Sequence, residues 1–475
     1  MSIPLSENEL YYTNFKDDAD ICISWRISGK KSVVVEYRPR PQTKRPCLQR
    51  NREDWVEDDD DLDIPEDEYR DIEGPEGVTW SEVRLDNLSL PRNKNLSTRE
   101  NSARLQFQSP TKPQATGKSS RKRGQGSEKR RQQKRRANFD NIVRSLKLRM
   151  NYLRANNFSL DTHARVASTG WHGLPPPKGE LQGLVDSYRD GSIVTSLSHF
   201  RRVPFDPKSK SATALLDDMH RTFGIRTTAA NFIAEQQGPL YEAMYDLMKP
   251  SLLDDSVKKE SKLKNPRGDH FQCLMGHHRP YHDTIILIKW HKDNEARVEE
   301  FLKKRCIQEL IAWVNWVLRA FMPEIADRYK RCAEWHQEKY GVTPLFGLFW
   351  NFCINGIFPG QQRIHTDPHA DPKNVVGACV IFVYVIPGSS FDHKVRSWFV
   401  IWEAGVIIEL PPWVAFFYPS SIFIHFNCDM SDIDIIHTSE QGKPTRPSNR
   451  AFRKMGFIGP DLPDDAHGRG SIGFF

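Results

Sequence analysis

The residues of this sequence with the clearest chemical capability lie between His365 and Asp371, where two imidazoles and two carboxylates fall within seven residues. Apolar, strand-like sequence flanks them on both sides, and another histidine, His425, lies in a later apolar segment. A His-x-Asp pair on a loop together with a distant His is the pattern of the two-histidine, one-carboxylate site. Such a site holds Fe(II) on one face and leaves the other face open to a co-substrate and oxygen. The pattern therefore predicts a metal centre.

Three His-x-Asp pairs compete for this metal, because the pattern is short and the chain has 16 histidines. His291 and Asp293 lie at an expected helix start, where an Asp side chain has an ordinary capping role. His365–Asp367 and His369–Asp371 remain alternatives on the residues alone. His425 alternates with apolar residues along an expected strand, so a buried core histidine is the alternative to a ligand.

The composition sets broad limits on the chain, which has 475 residues and a formal net charge of +7. Its hydrophobic content of 38% is below that of typical globular domains, so part of the chain is expected not to pack. The eight cysteines form no CxxC pair, which is typical of free thiols in a reducing compartment. No signal peptide and no apolar run of membrane-spanning length is visible, so we expect no membrane partner.

Two charged segments lie in the first part of the chain, which we expect to be disordered over residues 1–140. Residues 53–76 hold 14 acidic residues against one Arg, and such a run cannot bury enough apolar surface to offset its ordering entropy. Residues 118–136 hold ten Lys or Arg against Glu128. Their two basic clusters are typical of a bipartite nuclear-localisation signal and predict a nuclear protein. A solvated linker or a non-specific nucleic-acid arm is the alternative.

The remaining chain divides into a helical part and a strand-rich part. A helix is expected over residues 139–155, and together with the linker that follows it makes up the region 141–178. Residues 179–343 are expected to form a helical support region. Four candidate zinc ligands in that region match no common zinc template, so we expect a polar loop, with zinc as the alternative. These candidates are Cys273, His277, His278 and His282. The expected helices of the support region include 179–189, 211–222 and 228–248.

Residues 344–475 read as short strands separated by Pro or Gly. Many short strands preceded by helices predict an α+β fold, with a β-barrel or a double-stranded β-helix of the jelly-roll type as its core and helices packed on one sheet. The candidate strands are 345–354, 375–386, 397–403, 405–410, 413–418, 420–427 and 469–475.

Two motifs in this core carry a family resemblance. Residues 368–374, Pro-His-Ala-Asp-Pro-Lys-Asn, resemble the P-H-x-D-x-x-N signature of the TET/JBP family of Fe(II)/2-oxoglutarate dioxygenases. Residues 469–475, Arg-Gly-Ser-Ile-Gly-Phe-Phe, are similar to the R-x-S-[LI]-x-F-[FY] strand of that family. Residues 346–475 as a whole resemble fungal, largely uncharacterised members of the group. The resemblance weakens toward residue 180 and is absent from the first 140 residues.

Carried over by position, the resemblance implies that His369, Asp371 and His425 bind Fe(II). It also implies that Arg469 pairs with the distal carboxylate of 2-oxoglutarate, with Ser471 beside it. An Arg fork suits this role because it binds a carboxylate through two parallel hydrogen bonds.

Two further positions follow from the same alignment of motifs. Asn374 matches the position that contacts the target base in the family. The stretch before Arg469 is longer than the usual family spacing, so Arg446 and Arg450 are alternatives for the co-substrate carboxylate. The chain stops at Phe475, where relatives usually continue, and we expect a missing closing segment to leave the fold open and impair activity.

The reaction that the resemblance implies is oxidation of a nucleobase methyl group, with 5-methylcytosine in DNA as the expected substrate. A base inside a duplex must be extruded before its methyl group can reach the metal. A dioxygenase that acts on RNA or protein is one alternative. The alternative from another class is a catalytically degraded, nuclear, transposon-associated binding protein on a dioxygenase scaffold. The oligomeric state has no signal in the sequence.

Overall fold

The computed structural model describes residues 21–24, 34–37, 78–83, 122–430 with short gaps, 433 and 464–475. The gaps fall at 169, 230, 266, 268–269 and 279–284. The chain forms two compact units. One consists of Met1–Cys47 and Val83–Leu148, and the other of Leu48–Glu82 and Arg149–Phe475. The acidic segment 53–76, His282, Arg446 and Arg450 lie outside the described residues.

The described elements make a mixed α+β fold, as the sequence predicts. The helices are α1 (Lys122–Arg149), α2 (Leu160–His163), α3 (Lys178–Asp190), α4 (Val194–Ser198), α5 (Asn231–Leu252), α6 (Asp255–Lys264), α7 (Lys289–Asp293), α8 (Glu295–Lys303), α9 (Arg305–Phe321) and α10 (Pro323–Tyr340). The strands are β1 (Ile21–Ser24), β2 (Val34–Tyr37), β3 (Thr79–Val83), β4 (Asn151–Asn156), β5 (Arg201–Val203), β6 (Thr213–Leu216), β7 (Thr222–Arg226), β8 (Phe271–His278), β9 (Ile286–Leu287), β10 (Asn351–Gly356), β11 (Cys379–Val385), β12 (Trp398–Ile401), β13 (Val406–Ile408), β14 (Ala415–Tyr418), β15 (His425–Cys428) and β16 (Arg469–Phe474). Among the described residues, no helix is both long and apolar enough to cross a membrane.

The unit that contains the amino terminus holds an antiparallel pair, β1 with β2, and most of helix α1. Residues 139–149 of the predicted helix 139–155 are helical in α1, and residues 122–140 of the segment predicted to be disordered lie in the same helix. Helix α1 begins at Lys122, inside the basic segment, because Arg, Lys, Gln and Ala are good helix formers. It ends at Arg149, because residues 151–156 pair in parallel with β6 as strand β4.

The larger unit is built on two sheets. The large sheet has the order β3-β4-β6-β7-β14-β11-β16-β10-β8-β9, and the small sheet has the order β15-β12-β13-β5. From β10 to β16 the chain crosses repeatedly between the two, so residues far apart in sequence become neighbours. An apolar core that includes Phe399, Ile401, Phe416 and Tyr418 fills the space between the sheets.

Helices cover the outer faces of both sheets, whereas the sequence predicts helices on one sheet. On the large sheet, Trp313 of α9 packs on Phe382 with ring centroids 5.9 Å apart. On the small sheet, α3 and α4 pack against β12, β13 and β15, for example through Tyr188 on Phe426 at 5.4 Å. The second layer arises because Trp398 and Val400 of β12 and Phe426 and Cys428 of β15 present apolar side chains to these helices.

The seven strands predicted beyond residue 344 are present as β10 to β16, and helix 179–189 is present as α3. Within the predicted helical support region, 179–343, the structure also has five strands, β5 to β9. The expected helix 211–222 is the hairpin β6–β7, in which all four residues of β6 are buried. Asp217 closes this hairpin by accepting hydrogen bonds from the backbone N–H groups of Met219 and Arg221.

A buried ion pair fastens the loop after β10 to the end of β15. The two Nη atoms of Arg363 donate to the two carboxylate oxygens of Asp429 at 2.8 and 2.9 Å, and the backbone N–H of Ser397 donates to the same carboxylate. Burial raises the pKa of Asp429, but the charges of Arg363 and His365 and these hydrogen bonds outweigh burial. The net effect holds the pKa of this carboxyl well below its usual range.

The first prediction concerns this pair: Asp429→Asn should lower the free energy of unfolding at pH 7 by about 3–5 kcal/mol, because it leaves a buried guanidinium uncompensated. Since the folded-state pKa lies below the unfolded value, this stabilisation is complete above the unfolded pKa. It is lost as the pH falls through the folded pKa. Urea unfolding of both proteins across an acid series measures the difference. Asp367→Asn is the control, because its partner Arg189 is 62% exposed. Equal losses in the two variants would contradict the prediction.

Candidate metal centre

A two-residue bridge at the edge of the small sheet brings His369 and His425 together. Their backbones exchange both hydrogen bonds, at 3.2 Å from His369 N and 2.8 Å from His425 N. Their rings lie 4.3 Å apart between centroids. The pairing therefore places side by side two imidazoles that are 56 positions apart in the sequence.

Each imidazole is oriented by a backbone carbonyl. His369 Nδ1 lies 2.7 Å from the carbonyl oxygen of Asp367, and His425 Nδ1 lies 3.0 Å from that of Phe423. A carbonyl only accepts hydrogen bonds, so each Nδ1 carries the proton and each Nε2 keeps a free lone pair. Burial lowers the pKa of both rings, which favours the neutral form that a metal requires.

Asp371 completes a group of three potential ligands. Its Oδ2 lies 3.8 Å from His425 Nε2, and its backbone N–H donates to the carbonyl of Ser420. One ligand atom from each of His369, Asp371 and His425 lies within 4.8 Å of the others. Within the part of the chain that the structure describes, no other set of His, Cys, Asp and Glu side chains is grouped in this way. Two imidazole nitrogens and one carboxylate fit Fe(II) in a three-ligand site.

The competing pair, His365 and Asp367, lies outside this group. His365 is buried with Nδ1 3.3 Å from Ser397 Oγ, and its ring stacks on Tyr188. Asp367 forms an ion pair with Arg189 at 2.9 Å. Both residues therefore have partners in or near helix α3 and the small sheet, and neither joins the three-ligand group.

Arg469, on β16, is a buried cation that lines the same cavity. Its Nη1 donates to the carbonyl of Ile364 at 2.7 Å, whereas its buried Nε has no hydrogen-bond partner within the part of the chain that the structure describes. No carboxylate of the described residues lies within ion-pair distance of its guanidinium. Burial and the nearby charge of Arg363 lower its pKa to about 10, so it stays charged at neutral pH. A buried, unpaired guanidinium is costly unless an anion joins it, which fits a carboxylate ligand.

The cavity has a volume of about 50 Å³ and a lining that mixes polar side chains with apolar ones such as Ile381, Phe399 and Phe475. Ser471 lies on its wall and accepts a hydrogen bond from Asn355 Nδ2 at 2.9 Å. Besides the three candidate ligands, Arg469 and Ser471, its polar lining includes Arg267, His270, Gln272, Asn355, Thr366 and Asn427.

No sequence motif identifies Arg267 and His270, which line the cavity from the segment before β8. Arg267 Nη2 lies 2.5 Å from Asp371 Oδ1, so a guanidinium approaches the candidate ligand. Burial and the charges of Arg267 and Arg469 lower the pKa of His270 to about 4. The one feature of the sequence that could have indicated His270 is its place directly before an alternating apolar segment. The pairing of β8 with β10 carries both residues to the site.

Asn374 lies beside the cavity but does not line it. Its Nδ2 is 3.1 Å from Ser420 Oγ and 3.4 Å from Asp371 Oδ2. Its contact with a target base stays a prediction.

The predicted zinc candidates are not brought together among the described residues. Cys273 and His277 both lie on β8, Cys273 is fully buried, and burial raises the pKa of its thiol. Burial and the charge of His291 lower the pKa of His277 to about 4. The described part of the chain therefore gives no support to a zinc site there.

The second prediction concerns competition for Asp371. Arg267→Met should bind Co(II) about tenfold more tightly than the unaltered chain in the absence of any anion, a gain of about 1.4 kcal/mol. The reason is that a guanidinium beside the carboxylate opposes a divalent cation there. Titration followed by calorimetry gives the Kd, with Arg189→Met as the control at an ion pair outside the site. Unchanged or weaker Co(II) binding by Arg267→Met would contradict the prediction.

Comparisons with known proteins add little to this geometry. No protein-family model matches the chain, and no curated protein matches it. Among solved structures, the chain is similar to NgTET1 in complex with 5mC DNA, at a TM-score of 0.33 and 8% sequence identity. The match covers 62% of this chain and 89% of that chain. A TM-score this low establishes neither a shared fold nor a shared function.

Proposed function

We propose that this chain is an Fe(II)/2-oxoglutarate-dependent dioxygenase that oxidises a nucleobase methyl group, with 5-methylcytosine in DNA as its substrate. The observation that carries the proposal is the presence, in one cavity, of the three-ligand group and a buried guanidinium that has no carboxylate partner among the described residues. The resemblance of residues 368–374 and 469–475 to two family motifs supports the same function.

In this proposal His369, Asp371 and His425 hold the metal. When bound with its co-substrate and oxygen, the iron supplies the oxidising chemistry that converts a C–H bond to C–OH. The chain's own contribution is to keep both Nε2 atoms unprotonated through the two carbonyl acceptors, and to supply one negative charge at Asp371. Asp371 and His425 are buried and His369 is half-buried, which limits the access of bulk water to these groups.

Arg469 binds the distal carboxylate of 2-oxoglutarate in this proposal, with the Ser471 hydroxyl beside it. The unpartnered Nε and the remaining N–H groups of the guanidinium are the donors available to an anion. The co-substrate then supplies the negative charge that the buried cation lacks.

We also propose that the strands from β10 to β16 form a double-stranded β-helix. Support comes from strand order: β14-β11-β16-β10 are neighbours in the large sheet, and β15-β12-β13 are neighbours in the small sheet. The bridge between His369 and His425 adds a further pairing at the edge of the small sheet. The chain passes from the large sheet (β10, β11) to the small sheet (β12, β13), back to the large sheet (β14), to the small sheet (β15) and to the large sheet again (β16), which is compatible with a jelly roll.

The basic helix α1 supports a nucleic-acid substrate and a nuclear location. It carries 11 Lys or Arg against Glu128 and Asp140, and such a charge favours binding to a phosphate backbone. We propose that the basic clusters in residues 118–136 also direct nuclear import. A fluorescent fusion that lacks these residues should lose nuclear accumulation, and retained accumulation would reject the import role.

A non-catalytic binding protein on the same scaffold is the second candidate, and one observation favours it. The ion pair of Arg267 with Asp371 gives the candidate ligand a cation from the chain itself. In a protein that binds no metal, this ion pair would be permanent.

The third prediction separates the two candidates. Anaerobic titration of the purified chain should show binding of Fe(II) and then of 2-oxoglutarate, and addition of oxygen should release succinate. Asp371→Ala should abolish succinate formation, because it removes the one anionic ligand. Asp367→Ala is the matched control, four residues away in the other His-x-Asp pair, and should keep it.

The substrate is then tested by incubating the protein with methylated duplex DNA and analysing the nucleosides by mass spectrometry. Oxidised forms of 5-methylcytosine should appear. Succinate without oxidised cytosine would keep the dioxygenase and reject DNA in favour of RNA or protein. Absence of both metal binding and succinate would leave the binding protein.

The fourth prediction concerns the co-substrate. Arg469→Gln should raise the Kd for 2-oxoglutarate by about 100-fold, within the range for breaking a charge-assisted pair, while Fe(II) binding changes little. Arg469→Lys keeps the charge but loses the fork, so its Kd should fall between those of the other two proteins. Unchanged affinity in Arg469→Gln would transfer the role to Arg446 or Arg450.

A further inference from the structure

We infer that Asn374 is a positioning residue that holds the Asp371 carboxylate toward the metal site, instead of a residue that contacts the substrate. This inference rests on the proposed metal site. It assigns to Asn374 a different role from the base contact that the sequence motif implies.

The backbone around Asn374 forms a tight turn that is held on both sides. The N–H of Asn374 donates to the carbonyl of Asp371 at 2.9 Å, and the N–H of Asp371 donates to the carbonyl of Ser420 at 3.0 Å. Val375 forms a bridge with His172, so the chain leaving the turn is paired as well. The turn therefore keeps the Asn374 backbone next to Asp371, so its side chain starts within reach of that carboxylate.

The side chain of Asn374 uses its donors inside this turn. An Asn amide nitrogen has two N–H donors, and here the two acceptors within reach are Ser420 Oγ and Asp371 Oδ2. To read a base edge, the amide nitrogen would have to give up these contacts and enter a cavity that it does not line. The observed contacts favour orientation of the carboxylate.

The choice of oxygen matters for the metal. Oδ2 is the atom that lies 3.8 Å from His425 Nε2, and Arg267 approaches the other oxygen, Oδ1, at 2.5 Å. A neutral donor on Oδ2 fixes the rotation of the carboxylate but leaves its negative charge for the cation. Hydrogen bonds of this kind to metal-binding side chains typically change metal affinity by about 10–100-fold when removed.

The test measures metal and DNA separately, with Co(II) as the metal probe and the full chain as the protein. Asn374→Ala should weaken Co(II) binding by about 10–100-fold. Asn374→Asp should weaken it as well, because the new carboxylate has no donor for Asp371 Oδ2 and repels it. Lys373→Ala is the matched control, since Lys373 is the exposed neighbour in the same turn and should leave the Kd unchanged. The ratio of affinities for methylated and unmethylated duplexes should not change in Asn374→Ala.

If thermal unfolding shows that Asn374→Ala does not fold, a second variant provides the test. Ser420→Ala removes the other acceptor of the Asn374 amide and should weaken Co(II) binding by a smaller factor. Co(II) affinity equal to that of the unaltered chain in Asn374→Ala, or in Ser420→Ala where Asn374→Ala does not fold, would overturn the inference. So would loss of the preference for methylated DNA at constant Co(II) affinity.

The outcome for the unaltered chain separates this inference from the proposed function. If the unaltered chain and Asp371→Ala both fail to bind Co(II), the metal site itself is rejected and the positioning role falls with it. If the unaltered chain binds Co(II) and Asp371→Ala does not, the site stands, and the Asn374 variants decide the inference alone.

Discussion

The candidate centre depends on one backbone pairing, between His369 and His425. Strand β15 carries His425 and is held on one side by β12, in a register set by apolar residues that face helix α3. Because side chains alternate along a strand, a slip of one residue would turn His425 toward the helices and bring Phe426 into the cavity. The outer helical layer is thus part of what keeps an imidazole in the interior.

Charge is the second constraint on this interior. The cavity combines one carboxylate, Asp371, with two guanidinium groups, Arg267 and Arg469, and with histidines that burial keeps neutral. A divalent metal would add two further positive charges to a site that is already positive. Two negative charges from a dicarboxylate would offset that addition, which is why a dianionic co-substrate suits this lining better than a neutral ligand.

The sequence predicted the strands beyond residue 344 well, since each is a short apolar segment bounded by Pro or Gly. It also picked out His369, Asp371, His425 and Arg469, which the fold places around one cavity, although their roles remain proposals. Arg267 could not be predicted, because it reaches the cavity only through the long-range pairing of β8 with β10. The error at residues 211–222 has a similar origin: pairing with β4 and β7 decided the conformation of a segment whose local pattern fitted a helix.

His365 and Asp367 lie outside the candidate metal centre for a structural reason that involves Pro368. The backbone N–H of Asn427 donates to the carbonyl of Thr366, the backbone N–H of Thr366 donates to Asn427 Oδ1, and His369 is paired with His425. Three residue steps, from 366 to 369, therefore lie opposite two steps, from 425 to 427. This is the geometry of a bulge, and a proline without an N–H is well tolerated there. The extra residue lets both Thr366 and His369 line the cavity despite their odd separation. Asp367 lies on the opposite side of the segment from Thr366 and His369 and forms an ion pair with Arg189 of α3. Asp371 is therefore the carboxylate that faces the two imidazoles.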